Sequence, residues 1–262
     1  MTEVSRDSIS LRNAGIVHIT QQKKGVRFTL DSLLLADFCR IKPRDRVLEP
    51  GAGTGTISLL LAKKFPKARF VADEIEPGAY ELLLRNIERN GLSENISPVD
   101  QDIRDLISSL SPQTFNVIVA NPPYTKAGAG RTSPFPDRHL ARQSQIAPIT
   151  AWLDLKNLLK NKGRYVLVFP ANRAAELMAL LRIRDLEPKR IRFVHPYLHK
   201  PASLVLVEAM RSAGVGLDVL PPLIVHEQDG GYTEEVRDIY GNTEINRARI
   251  FLAKLAKDAK KI

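Results

Sequence analysis

The sequence predicts an α/β fold built on a doubly wound, mostly parallel sheet of seven strands. Five strand-like runs each lie next to a helix-like segment, which is the alternating order of a parallel sheet with helices on both faces. Two further strand-like runs, 190–195 and 203–207, follow the fifth. The length of 262 residues suits one large domain with a modest addition.

The first strand and the helix after it have the clearest pattern. Residues 46–48 are typical of a buried strand and 51–55 of a tight loop. Ile57, Leu60 and Leu61 then repeat at the spacing of one helix face. This strand, loop and helix predict the first unit of the sheet.

The following units have the same order. Residues 70–72 predict the second strand, and Pro77 predicts the start of a helix because proline fits the first turn. Gly91 predicts the end of that helix. The remaining elements of this half are a strand at 96–99, a helix at 103–110 and a strand at 117–119.

A polar, basic insertion follows the fourth strand. Residues 126–149 are rich in Pro, Gly and Arg and are too long for an ordinary connection, which indicates a functional or a disordered segment. Beyond it the sequence predicts a helix at 151–159 ended by Gly163, a fifth strand at 165–169 and a helix at 171–186.

The two ends of the chain are predicted as additions to this core. Before the first strand only one helix, 31–39, is convincing. Near the other end, two short strand-like runs flank the turn 228–231 and indicate a small hairpin, and the chain beyond Asn242 is predicted to be helical. We therefore expect three parts: an N-terminal segment 1–45, a core 46–210 and a C-terminal hairpin and helix extension 211–262.

The composition favours a polyanionic partner such as a nucleic acid. Lys and Arg number 39 against 29 Asp and Glu, which gives a net charge of +10 and a pI of about 9.8. Cys39 is the only cysteine, so an intramolecular disulfide and a cysteine-based zinc cluster are excluded. The histidines lack metal-ligand spacing, and no run approaches the ~18 apolar residues of a membrane span. We therefore expect a cytoplasmic protein with no metal, no membrane contact and no obligate protein partner.

The loop 49–55 has the composition of a nucleotide-type binding loop. Its glycines let the backbone approach a ligand where a Cβ would obstruct it. The dinucleotide fingerprint needs a glycine where Thr56 stands, and no lysine follows as a phosphate-binding P-loop requires. NAD and ATP are therefore disfavoured, and Glu49, Gly51 and Gly53 are candidate residues for another ligand of this type.

Acidic residues follow the second and third strands. Asp73 and Glu74 lie at the distance from the glycine loop where such a fold presents a carboxylate to a ribose diol, and strand alternation sends the two to opposite faces. Asp102 lies where it can accept a hydrogen bond from an adenine amine. Ile75 and Ile103, the next residues along the chain, belong to the same predicted edge.

The most specific feature is Asn121-Pro122-Pro123-Tyr124, directly after the fourth strand. An amine conjugated to a ring or a carbonyl is a poor nucleophile because its lone pair is delocalised. The Asn121 side-chain oxygen and the Pro122 carbonyl can accept its two N–H groups and hold the nitrogen as it becomes tetrahedral. Tyr124 offers a face on which a base can stack. The tetrapeptide therefore predicts chemistry at a flat, conjugated amine.

These motifs, in this order, resemble those of the class I S-adenosylmethionine-dependent methyltransferases, and the tetrapeptide is similar to that of the amino-methylating members. Residues 24–36, the segment 131–142 and Gly231-Tyr232-Thr233 further resemble the bacterial tRNA(Val) adenine N6-methyltransferases, which modify the adenosine beside the anticodon. The resemblance covers nearly the whole chain. It implies a Rossmann-like methyltransferase sheet, S-adenosyl-L-methionine as cofactor, and adenine N6 in an RNA, above all a tRNA, as methyl acceptor.

The resemblance also implies roles for individual residues. It selects Glu74 over Asp73 as the ribose ligand and makes 1–45 a segment that covers the cofactor. A basic insertion anchored beside the tetrapeptide can reach the phosphates that flank an extruded adenosine. The predicted catalytic residues are Asn121, Pro122 and Tyr124; the predicted cofactor-binding residues are Phe28, Thr29, Asp31, Glu49, Gly51, Gly53, Glu74, Ile75, Asp102, Ile103 and Asn121; the predicted substrate-binding residues are Pro123, Tyr124, Lys126, Arg131, Arg138 and Arg142.

Two other functions are weighed against this one. A release-factor glutamine methyltransferase shares Asn-Pro-Pro-Tyr, because a glutamine amide is another conjugated nitrogen. Such enzymes carry a helical domain before the first strand, where only about 45 residues stand here. A non-catalytic RNA-binding module of the same fold is opposed by the intact motifs, and a rise in melting temperature with S-adenosylmethionine would argue against it.

Overall fold

The structure, a computed structural model, describes residues 3–22, 29–123 and 147–241. The strands are β1 (Val4–Ile9), β2 (Val17–Gln22), β3 (Arg46–Pro50), β4 (Arg69–Asp73), β5 (Ile96–Val99), β6 (Phe115–Ala120), β7 (Leu159–Pro170), β8 (Leu186–Tyr197), β9 (Leu204–Arg211), β10 (Asp218–Val219) and β11 (Leu223–His226). The helices are α1 (Leu30–Phe38), α2 (Thr56–Lys64), α3 (Pro77–Arg89), α4 (Leu106–Ser109), α5 (Ile149–Asp154), α6 (Ala174–Ile183) and α7 (Glu234–Ile239).

The main sheet has the predicted doubly wound, mostly parallel arrangement. Within the described ranges its order is β10-β8-β9-β7-β6-β3-β4-β5, and β11 also pairs with β8. The strands from β3 to β7 run parallel, whereas β9 lies antiparallel between β7 and β8. The seven predicted strands are therefore confirmed. The short strands β10 and β11 extend the sheet beyond them.

The core lies on both faces of this sheet. On the central strand β3, Val47 packs with the apolar side chains of α1 and α2, and Leu48 packs on the opposite face with Trp152. Both β3 residues are fully buried, as are residues 117–120 of β6. Strands covered on both sides are continuous apolar runs, which is why they were recognisable in the sequence. Their carboxyl ends meet at one edge of the sheet.

The helix predicted at 151–159 is wrong in its second half. After α5 comes a 3₁₀ turn, Leu155–Leu158, and β7 begins at Leu159, so that Gly163 lies inside a strand and ends no helix. Lys162 has a φ of 58°, and the pairing of β6 with β7 shifts register at this point. The buried leucines of the turn have the spacing of a helix face, which explains the error.

Two other predicted helices are confirmed but shorter. In the segment 103–110 only α4 is helical, although Ile103 and Leu106 are buried as the stripe predicts. In the segment 171–186 a 3₁₀ turn precedes α6, and the chain turns at Asp185, which has a φ of 58°, to enter β8. Local turns at the ends of helices thus account for both differences.

The predicted C-terminal hairpin is replaced by a strand and a helix. The turn predicted at 228–231 forms, but only one bridge, between His226 and Tyr232, continues the ladder beyond it. Thr233 then caps α7, and β11 pairs in parallel with β8. The helix predicted beyond Asn242 and residues 126–146 of the basic insertion lie outside the described residues.

A hairpin of β1 and β2 near the N-terminus was missed. The two strands pair antiparallel, and β2 alternates between buried and half-buried residues. Val17, Ile19 and Gln21 point inward. The polar Gln21 at an inward position and the polar middle of β1 interrupt the apolar alternation that would have predicted these strands.

None of the helices within the described ranges has the length and hydropathy that a membrane span needs. In the same ranges, no three metal-ligating side chains come together as an ion site.

Candidate active site

The carboxyl edge of the sheet brings together the motifs that the sequence singled out. Pro50 at the end of β3 lies opposite Asp73 at the end of β4, and Asp73 lies opposite Val99 at the end of β5. The loop after β3, the acids after β4 and β5, and Asn121 after β6 therefore share one edge. This is where ligands bind in open α/β sheets.

The glycine loop between β3 and α2 is tightly folded. Gly51, Gly53 and Gly55 have φ angles of 62°, 58° and 86°, a region that glycine adopts readily and other residues adopt rarely. A Cβ at Gly51 would lie 2.5 Å from the Trp152 ring. Sequence reasoning foresaw the glycines but missed Trp152, whose only signal is that it is the single tryptophan of the chain. Gly51 thus makes room for a neighbouring side chain.

Glu49 precedes this loop near the end of β3, and its side chain is buried in the core. Its carboxylate accepts hydrogen bonds from the Ser58 backbone N–H at 2.8 Å and from the Ser58 hydroxyl. Since Gly55 at the helix N-cap has no side chain, Glu49 supplies the capping acceptor for α2. Burial raises the pKa of Glu49 to about 8, against the opposing effect of the Ser58 hydrogen bonds. Its predicted contact with a cofactor stays a prediction.

Glu74 and Asp73 have separate partners, as strand alternation predicts. One Glu74 oxygen accepts from the Gly53 N–H at 2.7 Å and the other from the Glu76 N–H at 2.8 Å. Asp73 accepts from the Gln101 N–H at 2.9 Å. Burial raises the pKa of both carboxyls, that of Asp73 to about 7. Glu74 is therefore the acid that contacts the glycine loop.

Asp102 pairs with a cation on its own turn. Its carboxylate accepts from the Arg104 Nε at 2.7 Å and from a second Arg104 nitrogen, and these bonds lower its pKa. A carboxylate has room for further donors, so an adenine amine can still be bound there. Ile103 is buried beside Asp102, whereas the Ile75 side chain beside Glu74 is 58% exposed.

Asn121 is connected to the N-terminal helix. Its side-chain Nδ2 donates to the Ser32 hydroxyl of α1 at 3.3 Å. This bond uses the NH₂ group of the amide, whose oxygen is an acceptor of the kind that an incoming amine requires. The next residue, Pro122, is buried, and Pro123 is exposed. Ser32 was not predicted, although it lies within the stretch 24–36 that carried the resemblance.

The remaining predicted residues divide into two groups. Thr29 is the N-cap residue of α1, and Asp31 lies in its first turn, where burial raises the pKa of its carboxyl. The other predicted site residues lie outside the described residues: Phe28, Tyr124, Lys126, Arg131, Arg138 and Arg142.

The chain is similar to a family model and to proteins of known activity. Residues 27–135 match the family model Methyltransferase small domain. The chain is 31% identical over 227 residues to a tRNA1(Val) (adenine(37)-N6)-methyltransferase of Porphyromonas gingivalis, covering 83% of this chain and 88% of the relative. It is 26% identical to the protein of the same name from Vibrio campbellii, covering 83% and 90%.

A solved structure has the same fold. It is described as a predicted O-methyltransferase from Agrobacterium tumefaciens, and it superposes with a TM-score of 0.63 at 21% identity, covering 84% of this chain and 96% of that one. The resemblance drawn from the motifs is thus confirmed. On the identity and coverage of its relatives, this chain belongs to the family of the tRNA1(Val) (adenine(37)-N6)-methyltransferases.

Proposed function

We propose that this protein transfers the methyl group of S-adenosylmethionine to N6 of adenine 37 in tRNA1(Val). The relatives carry this activity in their names. The observation in the structure that carries the proposal is the Asn121 amide, held by Ser32 at the same sheet edge as the glycine loop. A cytoplasmic location, where tRNA is found, is part of the proposal.

The cofactor fits the groups present at this edge. S-adenosylmethionine, when bound, supplies a methyl group activated by a positively charged sulfur. The Glu74 carboxylate lies against the glycine loop, where it can accept from ribose hydroxyls, and Asp102 can accept from the adenine amine. Asp73 adds a further buried carboxylate. An edge lined by carboxyl groups favours a cationic ligand, because the charge of that ligand offsets their desolvation.

At the transfer centre the protein's contribution is positioning. The Asn121 oxygen and the Pro122 carbonyl accept the two N–H groups of the adenine amine and turn its lone pair toward the methyl carbon. The bound cofactor would supply the carbon of the new N–C bond, and its S–C bond would break in the same step. The methylated nitrogen is then acidic enough to lose a proton to water, so no strong base is required. Tyr124 provides the stacking face for the extruded base.

Nucleoside analysis after methylation tests the proposal directly. The purified protein is incubated with labelled S-adenosylmethionine and, separately, with total tRNA, rRNA and a release factor. We expect label in N6-methyladenosine from tRNA alone, and its loss when a tRNA1(Val) transcript carries guanosine at position 37. Label in a glutamine of the release factor would establish the rival function. Thermal stabilisation by cofactor without transfer to any RNA would also contradict the proposal.

A further inference from the structure

Asn86 on α3 and Asn90 at the C-cap of this helix complete the edge of the N-terminal hairpin. Asn86 and Asn90 are one turn apart and therefore share a helix face. Asn90 accepts from the His18 N–H at 2.9 Å and donates to the His18 carbonyl at 2.7 Å. Asn86 accepts from the Thr20 N–H at 2.8 Å and donates to the Thr20 carbonyl at 2.9 Å. The two side-chain amides thus bind the outer edge of β2 as a neighbouring strand would.

Asn86 has a third bond that reaches the glycine loop. Its Nδ2 also donates to the Thr54 carbonyl at 3.0 Å, and the Asn86 residue is fully buried. The NH₂ group has two hydrogens, so both are used, one on β2 and one on the loop. Glu74 binds the Gly53 N–H one residue earlier. The loop segment that runs from the Gly53 N–H to the Thr54 carbonyl is therefore held at both ends.

We propose that Asn86 is a positioning residue for the cofactor. Its side chain couples the N-terminal hairpin to the glycine loop. Holding the Thr54 carbonyl fixes the loop in its ligand-binding shape, and ordering that shape in advance lowers the cost of binding. The hairpin then supports the loop through one amide. The inference rests on the proposed function only in that S-adenosylmethionine binds at this loop.

Asn90 provides a matched control. Its side chain makes three hydrogen bonds, two to His18 and one to the Asn86 carbonyl. The Asn86 side chain also makes three, but only that of Asn86 reaches the loop. Asn86→Ala and Asn90→Ala should therefore lower the melting temperature by similar amounts. We expect the Kd for S-adenosylmethionine to rise about tenfold in Asn86→Ala and less than about threefold in Asn90→Ala, because only the former frees the loop. At saturating cofactor, kcat should stay close to that of the parent in both.

Calorimetry on both variants decides between positioning and general stability. Equal losses of affinity in the two variants, or no loss in Asn86→Ala, would overturn the role of Asn86. Failure of the parent protein itself to bind the cofactor would instead refute the proposed function.

Hydrogen exchange on the parent protein covers the case in which Asn86→Ala does not fold. Binding of S-adenosylmethionine should slow exchange at the Thr20 amide, which Asn86 holds, more than at the His18 amide, which Asn90 holds. Equal protection of the two amides, or protection of neither, would count against the coupling.

Discussion

The segments after the neighbouring strands β3 and β6 reach the same edge of the sheet but are held differently. The loop after β3 is fixed by buried carboxyl groups, since Glu49 binds Ser58 of α2 and Glu74 binds the Gly53 N–H. The segment after β6 begins with a neutral amide, Asn121, bonded to a neutral hydroxyl on α1. Titratable carboxyl groups are thus concentrated on the side where we place the cofactor, whereas Asn121 offers the amine a neutral amide.

This difference predicts which property each substitution should change. Buried carboxyl groups with raised pKa values make the β3 side sensitive to pH and important for stability and cofactor affinity. Uncharged acceptors on the β6 side match an amine that gains positive charge only as it reacts. Substitutions there should change turnover and leave cofactor binding nearly intact.

The largest effect is expected from Asn121→Ala. It removes an acceptor that matters most when the amine becomes tetrahedral, so kcat at saturating substrates should fall by at least ~100-fold. The Kd for S-adenosylmethionine, measured by calorimetry, should change less than about threefold. A large loss of cofactor affinity with normal turnover would reverse the division between the two sides.

A pH-dependent effect is expected from Glu49→Gln. The pKa of Glu49 is raised by burial to about 8, so between roughly pH 4.5 and 8 the folded protein keeps a proton that the unfolded chain releases. This contribution to stability is fully present below pH 4.5 and is lost as the pH rises toward 8. Glutamine does not ionise and still offers an oxygen to Ser58.

Denaturant titrations at several pH values measure this effect. Glu49→Gln should match the parent near pH 5 and exceed its free energy of unfolding by a few kcal/mol, at most about 4 kcal/mol, at pH 8. The difference between the two proteins isolates Glu49, because Asp73 titrates in both. A variant whose stability follows the parental pH profile would show that Glu49 is ionised in the fold.

A smaller loss, of affinity alone, is expected from Asp102→Ala. The Asp102 carboxylate lies on the same side of the edge as Glu74, but it is already paired with Arg104. The cofactor would therefore bind a carboxylate that also accepts hydrogen bonds from Arg104. We expect the Kd for S-adenosylmethionine to rise about tenfold, the value of one charge-assisted hydrogen bond. Calorimetry at constant salt checks this, and an unchanged Kd would remove Asp102 from the cofactor site.

The sequence allowed the sheet and the order of its motifs to be predicted, because β3 and β6 are covered on both faces and have continuous apolar runs. It did not allow the N-terminal hairpin to be predicted. That hairpin is completed by Asn86 and Asn90, more than 60 residues away, and no local pattern shows such a contact. For Glu49, the motif indicates an acid at this position, but only the fold shows its carboxylate turned toward α2.

The smallest effects are expected from removing two serine hydroxyls. One lies on the side of the sheet edge formed after β3, and the other contacts the side formed after β6. Ser32 accepts from Asn121, and Ser58 donates to Glu49. One hydrogen bond contributes about 0.5–1.5 kcal/mol, and Asn121 keeps its backbone position without Ser32.

Ser32→Ala should therefore lower kcat only about threefold, with unchanged cofactor affinity and little change in melting temperature. Ser58→Ala should leave kcat nearly unchanged and lower the melting temperature, most of all at high pH, because the ionised form of Glu49 loses a donor. Parallel kinetics and thermal melts at pH 6 and pH 8 separate the two. If both variants lost the same quantity, either turnover or stability, the neutral and the carboxylate sides of this edge would not have the separate roles that their contacts indicate.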